Sequence, residues 1–62
     1  MKKKGINIGC YARKAVAWNE FGYPTIWSDS IYTVFEFDTD WVSLIDEDGN
    51  YHEIRRQDVK PL

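Results

Sequence analysis

The run Tyr32–Leu62, YTVFEFDTDWVSLIDEDGNYHEIRRQDVKPL, limits what this chain can fold into more than any other part of it. Tyr32 to Phe37 is dense in β-branched and aromatic residues, which suit a pleated, half-buried surface. Asp38-Thr39-Asp40 interrupts the run with short polar side chains that hydrogen-bond their own backbone, the chemistry of a turn. Trp41 to Ile45 resumes a strand, with Val42 and Leu44 on one face and Trp41, Ser43 and Ile45 on the other. Asp46-Glu47-Asp48-Gly49-Asn50 then supplies the Asp-Gly step whose glycine takes the positive φ of a tight hairpin. Tyr51 to Arg55 is the return strand, with Ile54 as its core residue. Arg56-Gln57-Asp58 reads as one helical turn and Val59 to Leu62 as a last short strand. Pro61 has no backbone donor and belongs on an edge or beyond the strand.

The order of a strand, an acidic turn, Asp-Trp, a strand, a DEDG hairpin, a strand, one short turn and Val-x-Pro-Leu resembles the C-terminal half of an SH3 domain. In that resemblance Trp41 matches the tryptophan after the n-Src loop, Asp46 to Asn50 the distal hairpin, and Ile54 and Val59 the apolar positions flanking the short turn. It covers about half the chain and implies an all-β fold, a small five-stranded SH3-like barrel with a long aromatic loop after the first strand. The proline and tyrosine that SH3 domains place around the short turn are replaced here by Arg55 and Asp58. Gly9-Cys10-Tyr11-Ala12 stands where the family's Ala-Leu-Tyr-Asp-Tyr signature would be. The aromatic grooves that grip proline-rich peptides are therefore mostly missing, and the resemblance implies the fold without that ligand.

Upstream, residues 1–5 read as a loose basic tail and Ile6 to Tyr11 as a first strand, with Ile6, Ile8 and Cys10 alternating on one side. Ala12 to Trp18 has no convincing helix cap and reads as a strand end followed by loop. Ala15 to Ser30 is then a long connection carrying Trp18, Phe21, Gly22-Tyr23-Pro24 and Trp27, a heavy aromatic load for a loop. In an SH3-like fold it corresponds to the RT loop, folded back as a hairpin over one end of the barrel.

With 62 residues the chain has room for a single domain and one modest core, so its stability should be of the order of a few kcal/mol. Three tryptophans, four tyrosines and three phenylalanines compensate, because each buries a large area per residue ordered. A lone cysteine cannot form an intrachain disulfide and suits a reducing cytoplasm. Met1-Lys2-Lys3-Lys4 is not followed by the apolar region of a signal peptide, and no run reaches membrane-spanning length. The expectation is a cytoplasmic, free-standing protein, monomeric or a small homo-oligomer, without cofactor or membrane attachment.

Charge is segregated along the chain. Met1 to Lys14 holds five basic and no acidic residues, and Ala15 to Ile54 nine acidic residues and no lysine or arginine. Arg55, Arg56 and Lys60 return near the end. Side-by-side termini would turn this order into one basic and one acidic end, a dipolar surface that steers encounter with a charged partner.

Three candidate sites follow. The first is Trp41 with Asp38, Asp40 and the loop aromatics: an exposed indole stacks on a partner while carboxylates take an arginine or lysine. The blander alternative is a tryptophan that only covers the barrel mouth beside a turn. The second is the acidic belt of Glu20, Asp29, Glu36, Asp38, Asp40, Asp46, Glu47, Asp48 and Glu53, which either docks a basic surface or simply keeps the protein solvated. The third is the basic end, Lys2, Lys3, Lys4, Arg13, Lys14, Arg55, Arg56 and Lys60 with Tyr11, the combination a nucleic-acid groove needs. Against the third, the formal net charge is −2, where such binders are usually strongly basic.

Asp46-x-Asp48-Gly49-Asn50 superficially resembles a calcium loop, but its glycine comes too early for an EF-hand, so a hairpin is the expectation and no metal site. Cys10 and His52 are the only pairing of nucleophile and base in reach, with no third residue to orient them, so an enzyme is not expected. The function expected is a small non-catalytic protein-binding module, a regulator or inhibitor similar in style to the short proteins of phages and mobile elements. Trp41, Trp27, Tyr23 and Trp18 are its expected anchors and Asp38, Asp40 and Glu20 its cation-binding groups. The alternative is a nucleic-acid-binding, SH3-like or Tudor-like barrel using Lys3, Lys4, Arg13, Lys14, Arg55 and Arg56.

Overall fold

A computed structural model describes residues 5–62, so Lys2, Lys3 and Lys4 lie outside the described residues. The chain is all-β. Six strands run β1 (Tyr11–Trp18), β2 (Pro24–Trp27), β3 (Tyr32–Phe37), β4 (Trp41–Ile45), β5 (Tyr51–Arg55) and β6 (Val59–Pro61), with one 3-10 turn at Arg56–Asp58. They form a single antiparallel sheet in the order β2-β1-β3-β4-β5, and β6 pairs with β1. Ala12 is paired with both Tyr32 of β3 and Pro61 of β6, so those strands occupy opposite edges of β1. β5 pairs only with β4 and β6 only with β1. The path from β5 to β6 runs through the 3-10 turn rather than a ladder, which leaves the sheet open there. Among the described residues, no helix is long and apolar enough to cross a membrane.

From β3 onward the elements match the sequence expectation. The alternation in β4 buries Val42 and Leu44 completely, and the 3-10 turn falls on Arg56–Asp58 as expected. Gly49 sits at φ 86° in the hairpin turn, where an L side chain is strained. The core gathers Ala12, Tyr32, Val34, Val42, Leu44 and Val59, with Ile6, Cys10 and Ile54 packed partly buried against it. Full burial of Leu44 alone contributes roughly 1.5–3 kcal/mol.

The N-terminal third differs from the expectation. Ile6 to Tyr11 is not a strand: residues 7–10 form a turn in which the Cys10 amide donates to the Asn7 carbonyl at 3.1 Å. Gly9, at φ 88°, makes that turn, and its amide donates to the Val34 carbonyl at 2.8 Å. The turn breaks the alternation, so Ile6 and Cys10 face the core while Ile8 is 71% exposed. β1 begins where the first strand was expected to end. The connection 15–30 is also not a plain loop, because it contains the second half of β1 and a sixth strand, β2, folded back antiparallel on it.

The reason lies in β1 itself. Its buried residues are Ala12 and Ala15, three apart, which is not a strand period. Register shifts between Ala15, Ala17 and Trp18 accompany this change of face as β1 leaves the main sheet for the hairpin with β2.

Candidate functional site

The Asp38–Asp40 turn positions Trp41. One Asp38 carboxylate oxygen accepts from the amides of Asp40 at 2.9 Å and Trp41 at 2.8 Å. The Asp38 amide donates to the Trp41 carbonyl at 2.9 Å, and the Arg56 amide to the Asp40 carbonyl at 2.7 Å. The backbone of Trp41 is thus held by side chain and main chain together. Trp41 itself remains 45% exposed.

Trp41 stands between two grooves. One, of about 360 Å³, is lined by Ile8, Glu36, Phe37, Asp38, Trp41, Ser43 and Glu53. The other, of about 240 Å³, is lined by Thr39, Asp40, Trp41, Arg55, Arg56 and Gln57. The first carries three carboxylates and no basic side chain; the second is mixed in charge. A flat indole beside carboxylates on an open surface is a chemistry that accepts a guanidinium or ammonium group.

Glu36 reaches the first groove because of a bulge. Val34 pairs with Leu44 on the buried face, yet Glu36 pairs with Ser43 on the outer face, with a register shift between them. Strict alternation from Val34 would have turned Glu36 into the core, where an unpaired carboxylate is costly. The extra residue moves it outward instead. Sequence reasoning includes Glu36 and Glu53 only in the acidic belt and misses Ile8, Phe37 and Ser43 as groove residues. The signal available for Glu36 is its position at a core-facing step of an otherwise regular strand.

The remaining expected anchors are placed differently. Trp18, at the end of β1, donates its indole N–H to an Asp58 carboxylate oxygen at 2.9 Å. Asp58 is 4% exposed, and its other oxygen accepts from Arg55 Nε at 3.0 Å. Arg55 and Asp58 are therefore engaged with each other. The turn carrying Glu20 and Tyr23 is held by the Asn19 side chain, which accepts from the Phe21 and Tyr23 amides at 2.8 and 3.0 Å. Gln57 Nε2 donates to the Gly22 carbonyl at 3.1 Å, tying that turn to the 3-10 turn. Glu20 and Tyr23 are exposed but line neither groove beside Trp41. Trp27 is half-buried, with Lys60 Nζ 5.8 Å from its ring centroid.

The basic residues within residues 5–62 also have internal partners. Arg13 donates to the carbonyls of Ser28 and Asp29, each at 2.8 Å. Arg56 donates to the Val59 carbonyl at 3.3 Å, and Lys14 Nζ lies 5.7 Å from the Tyr32 ring centroid. β1 and β6 do run side by side, with Arg13 opposite Lys60. These cations nonetheless brace the fold more than they line a groove, apart from Arg55 and Arg56.

In the β4–β5 hairpin, one Asp46 oxygen accepts from the amides of Asp48 and Asn50, each at 2.9 Å. The other lies 2.9 Å from His52 Nε2. The His52 hydrogen bond, followed by those backbone amides, lowers the Asp46 pKa from 3.8 to about 2. The His52 ring packs edge-on against Tyr32, with centroids 5.5 Å apart. Cys10 belongs to the N-terminal turn, its Sγ accepting from the Asn7 amide at 3.5 Å.

Comparison with protein-family models, with curated proteins and with solved structures finds no match to this chain.

Proposed function

We propose that this chain is a small non-catalytic protein-binding module, with an SH3-like arrangement of strands, that acts in the cytoplasm as a regulator or inhibitor. It docks on a partner protein through Trp41 and the grooves beside it. The observation that carries this reading is the exposure of Trp41 on a backbone held rigid by the Asp38 turn, beside a groove lined by carboxylates. A preorganised aromatic anchor loses little entropy on binding and has the properties of an interface hot spot. The pairing of β1 with β6 and the 3-10 turn before β6 support the SH3-like arrangement. The mutual engagement of Arg55 and Asp58 argues for a ligand other than a proline-rich peptide.

The test is affinity capture from nuclease-treated cytoplasmic lysate, followed by titration of the purified partner against wild type and Trp41→Ala. The variant should retain the wild-type far-UV spectrum and bind about 30-fold more weakly, the scale of a hot-spot truncation. Capture that disappears on nuclease treatment and depends on Arg55 and Arg56 would overturn the reading in favour of nucleic acid.

A further inference from the structure

Resting on that reading, we infer that the outer face of the β3–β4–β5 meander receives a helix of the partner protein that presents a basic residue between two apolar ones. The sheet register sets the pattern of this face. Trp41 lies across from Arg55, Ser43 from Glu53, and Ile45 from Tyr51, and Glu36 lies across from Ser43 on the β3 side. At one end Phe35 stacks on Tyr51, with ring centroids 5.1 Å apart and planes at 22°. Both rings are exposed. At the other end Trp41 borders the first groove. Glu36 and Glu53 flank Ser43 between the two aromatic ends.

Charge complementarity selects the centre of the ligand. Among the described residues, the side-chain contacts between basic and acidic groups are the Arg55–Asp58 ion pair and the His52–Asp46 hydrogen bond. Glu36, Asp38 and Glu53 have no such partner there, and the two cations beside Trp41 are already engaged, Arg55 with Asp58 and Arg56 with the Val59 carbonyl. A single arginine or lysine between the carboxylates would satisfy them, while apolar side chains cover the rings on either side.

Backbone accounting selects the helix. The β4 backbone is paired on both sides, so a segment lying across this face meets side chains and finds no free main-chain donors or acceptors. An extended segment would leave its own peptide groups unsatisfied under the aromatic rings, whereas a helix satisfies them internally. The spacing agrees. The four strand steps from Trp41 to Ile45 span roughly 13 Å at about 3.3 Å per residue, and helix positions i and i+8 span about 12 Å at 1.5 Å per residue. The matching ligand pattern is apolar, basic, apolar at i, i+4 and i+8.

The test uses synthetic twelve-residue helical peptides with Leu, Arg and Leu at those three positions in an Ala/Gln background. They are titrated against the full chain while backbone amide NMR shifts are followed. The expected result is saturable binding, with shifts centred on Ser43, Glu53 and Tyr51, that weakens at least tenfold when the peptide Arg is replaced by Glu. Replacing Glu36 and Glu53 by Lys should cost at least tenfold with the Arg peptide and restore affinity for the Glu peptide. Glu36→Gln with Glu53→Gln gives the same loss without charge reversal, in case the lysine variant folds poorly.

Several results would overturn the inference. They are absence of binding by the Arg peptide, shifts confined to the β1–β2 hairpin, indifference to the charge swap, or dilution-dependent shifts on this face that reveal a second copy of the chain covering it. A natural partner that needs Trp41 but ignores the swap removes this inference and leaves protein binding standing. Absence of any Trp41-dependent partner removes the broader reading as well.

Discussion

The meander of β3, β4 and β5 and the hairpin of β1 and β2 are antiparallel structures in the same small sheet, yet they are held by different forces. The meander contributes Tyr32, Val34, Val42 and Leu44 to the core, whereas β1 contributes only alanines and β2 no fully buried apolar residue. The hairpin is anchored instead by polar contacts: Trp18 to Asp58, Gln57 to Gly22, Arg13 to the Ser28 and Asp29 carbonyls, and the buried Ser28 hydroxyl to Ser30. Burial free energy scales with apolar area, while each hydrogen bond contributes a net of about 1 kcal/mol. The meander is therefore expected to be the stable unit and the hairpin the part that opens first.

Four substitutions test that contrast. Leu44→Ala empties a fully buried site and should cost about 2–5 kcal/mol, enough to unfold much of a domain this size; urea denaturation reads it directly. Asp58→Ala removes the acceptor of both Trp18 and Arg55 and should cost about 1–3 kcal/mol. Its distinguishing mark is faster amide exchange in β1 and β2 with β4 and β5 still protected. If the meander opens equally, the two regions are one cooperative unit and the contrast is wrong.

Gly49→Ala forces an alanine to φ 86° and should cost about 1–2 kcal/mol, confined to the β4–β5 hairpin. The smallest effect concerns pH. Asp46 has its folded pKa lowered to about 2 from 3.8, so the folded state binds fewer protons than the unfolded chain in that window. Its contribution is complete above about pH 5 and is lost as the pH falls through about 4 toward 2. Asp46→Asn should show a shallower loss of urea midpoint across that interval than wild type. Identical acid limbs would show that the His52 contact does not form in solution.

The same contrast explains what could be read in advance. Every bound in the meander follows from local chemistry: β-branched and aromatic runs, an aspartate that caps its own turn, and an Asp-Gly step. In β1, Ala12 and Ala15 carry almost no hydropathy signal and sit at a helix-like spacing. The residues that hold the hairpin are far apart in sequence, as with Trp18 and Asp58. For the site, Trp41 and Asp38 are recognisable from the turn they share. The groove beside them is not, because Ile8 reaches it through a glycine turn and Glu36 through a bulge. Trp18, from composition alone a binding residue as good as Trp41, has its indole N–H engaged inside the fold.

By itself the sequence determines the all-β class, the three meander strands, both aspartate turns, the 3-10 turn and the prominence of Trp41. These depend on backbone preferences and side-chain periodicity within a few residues, so adjacent letters are sufficient to state them. Tertiary structure alone decides that β1 changes faces, that β2 folds back on it, that Asp58 is buried between Trp18 and Arg55, and that Glu36 points outward beside Ser43. Each of these depends on which surfaces meet across the sheet, and on the cost of leaving a buried polar group without a partner once they do.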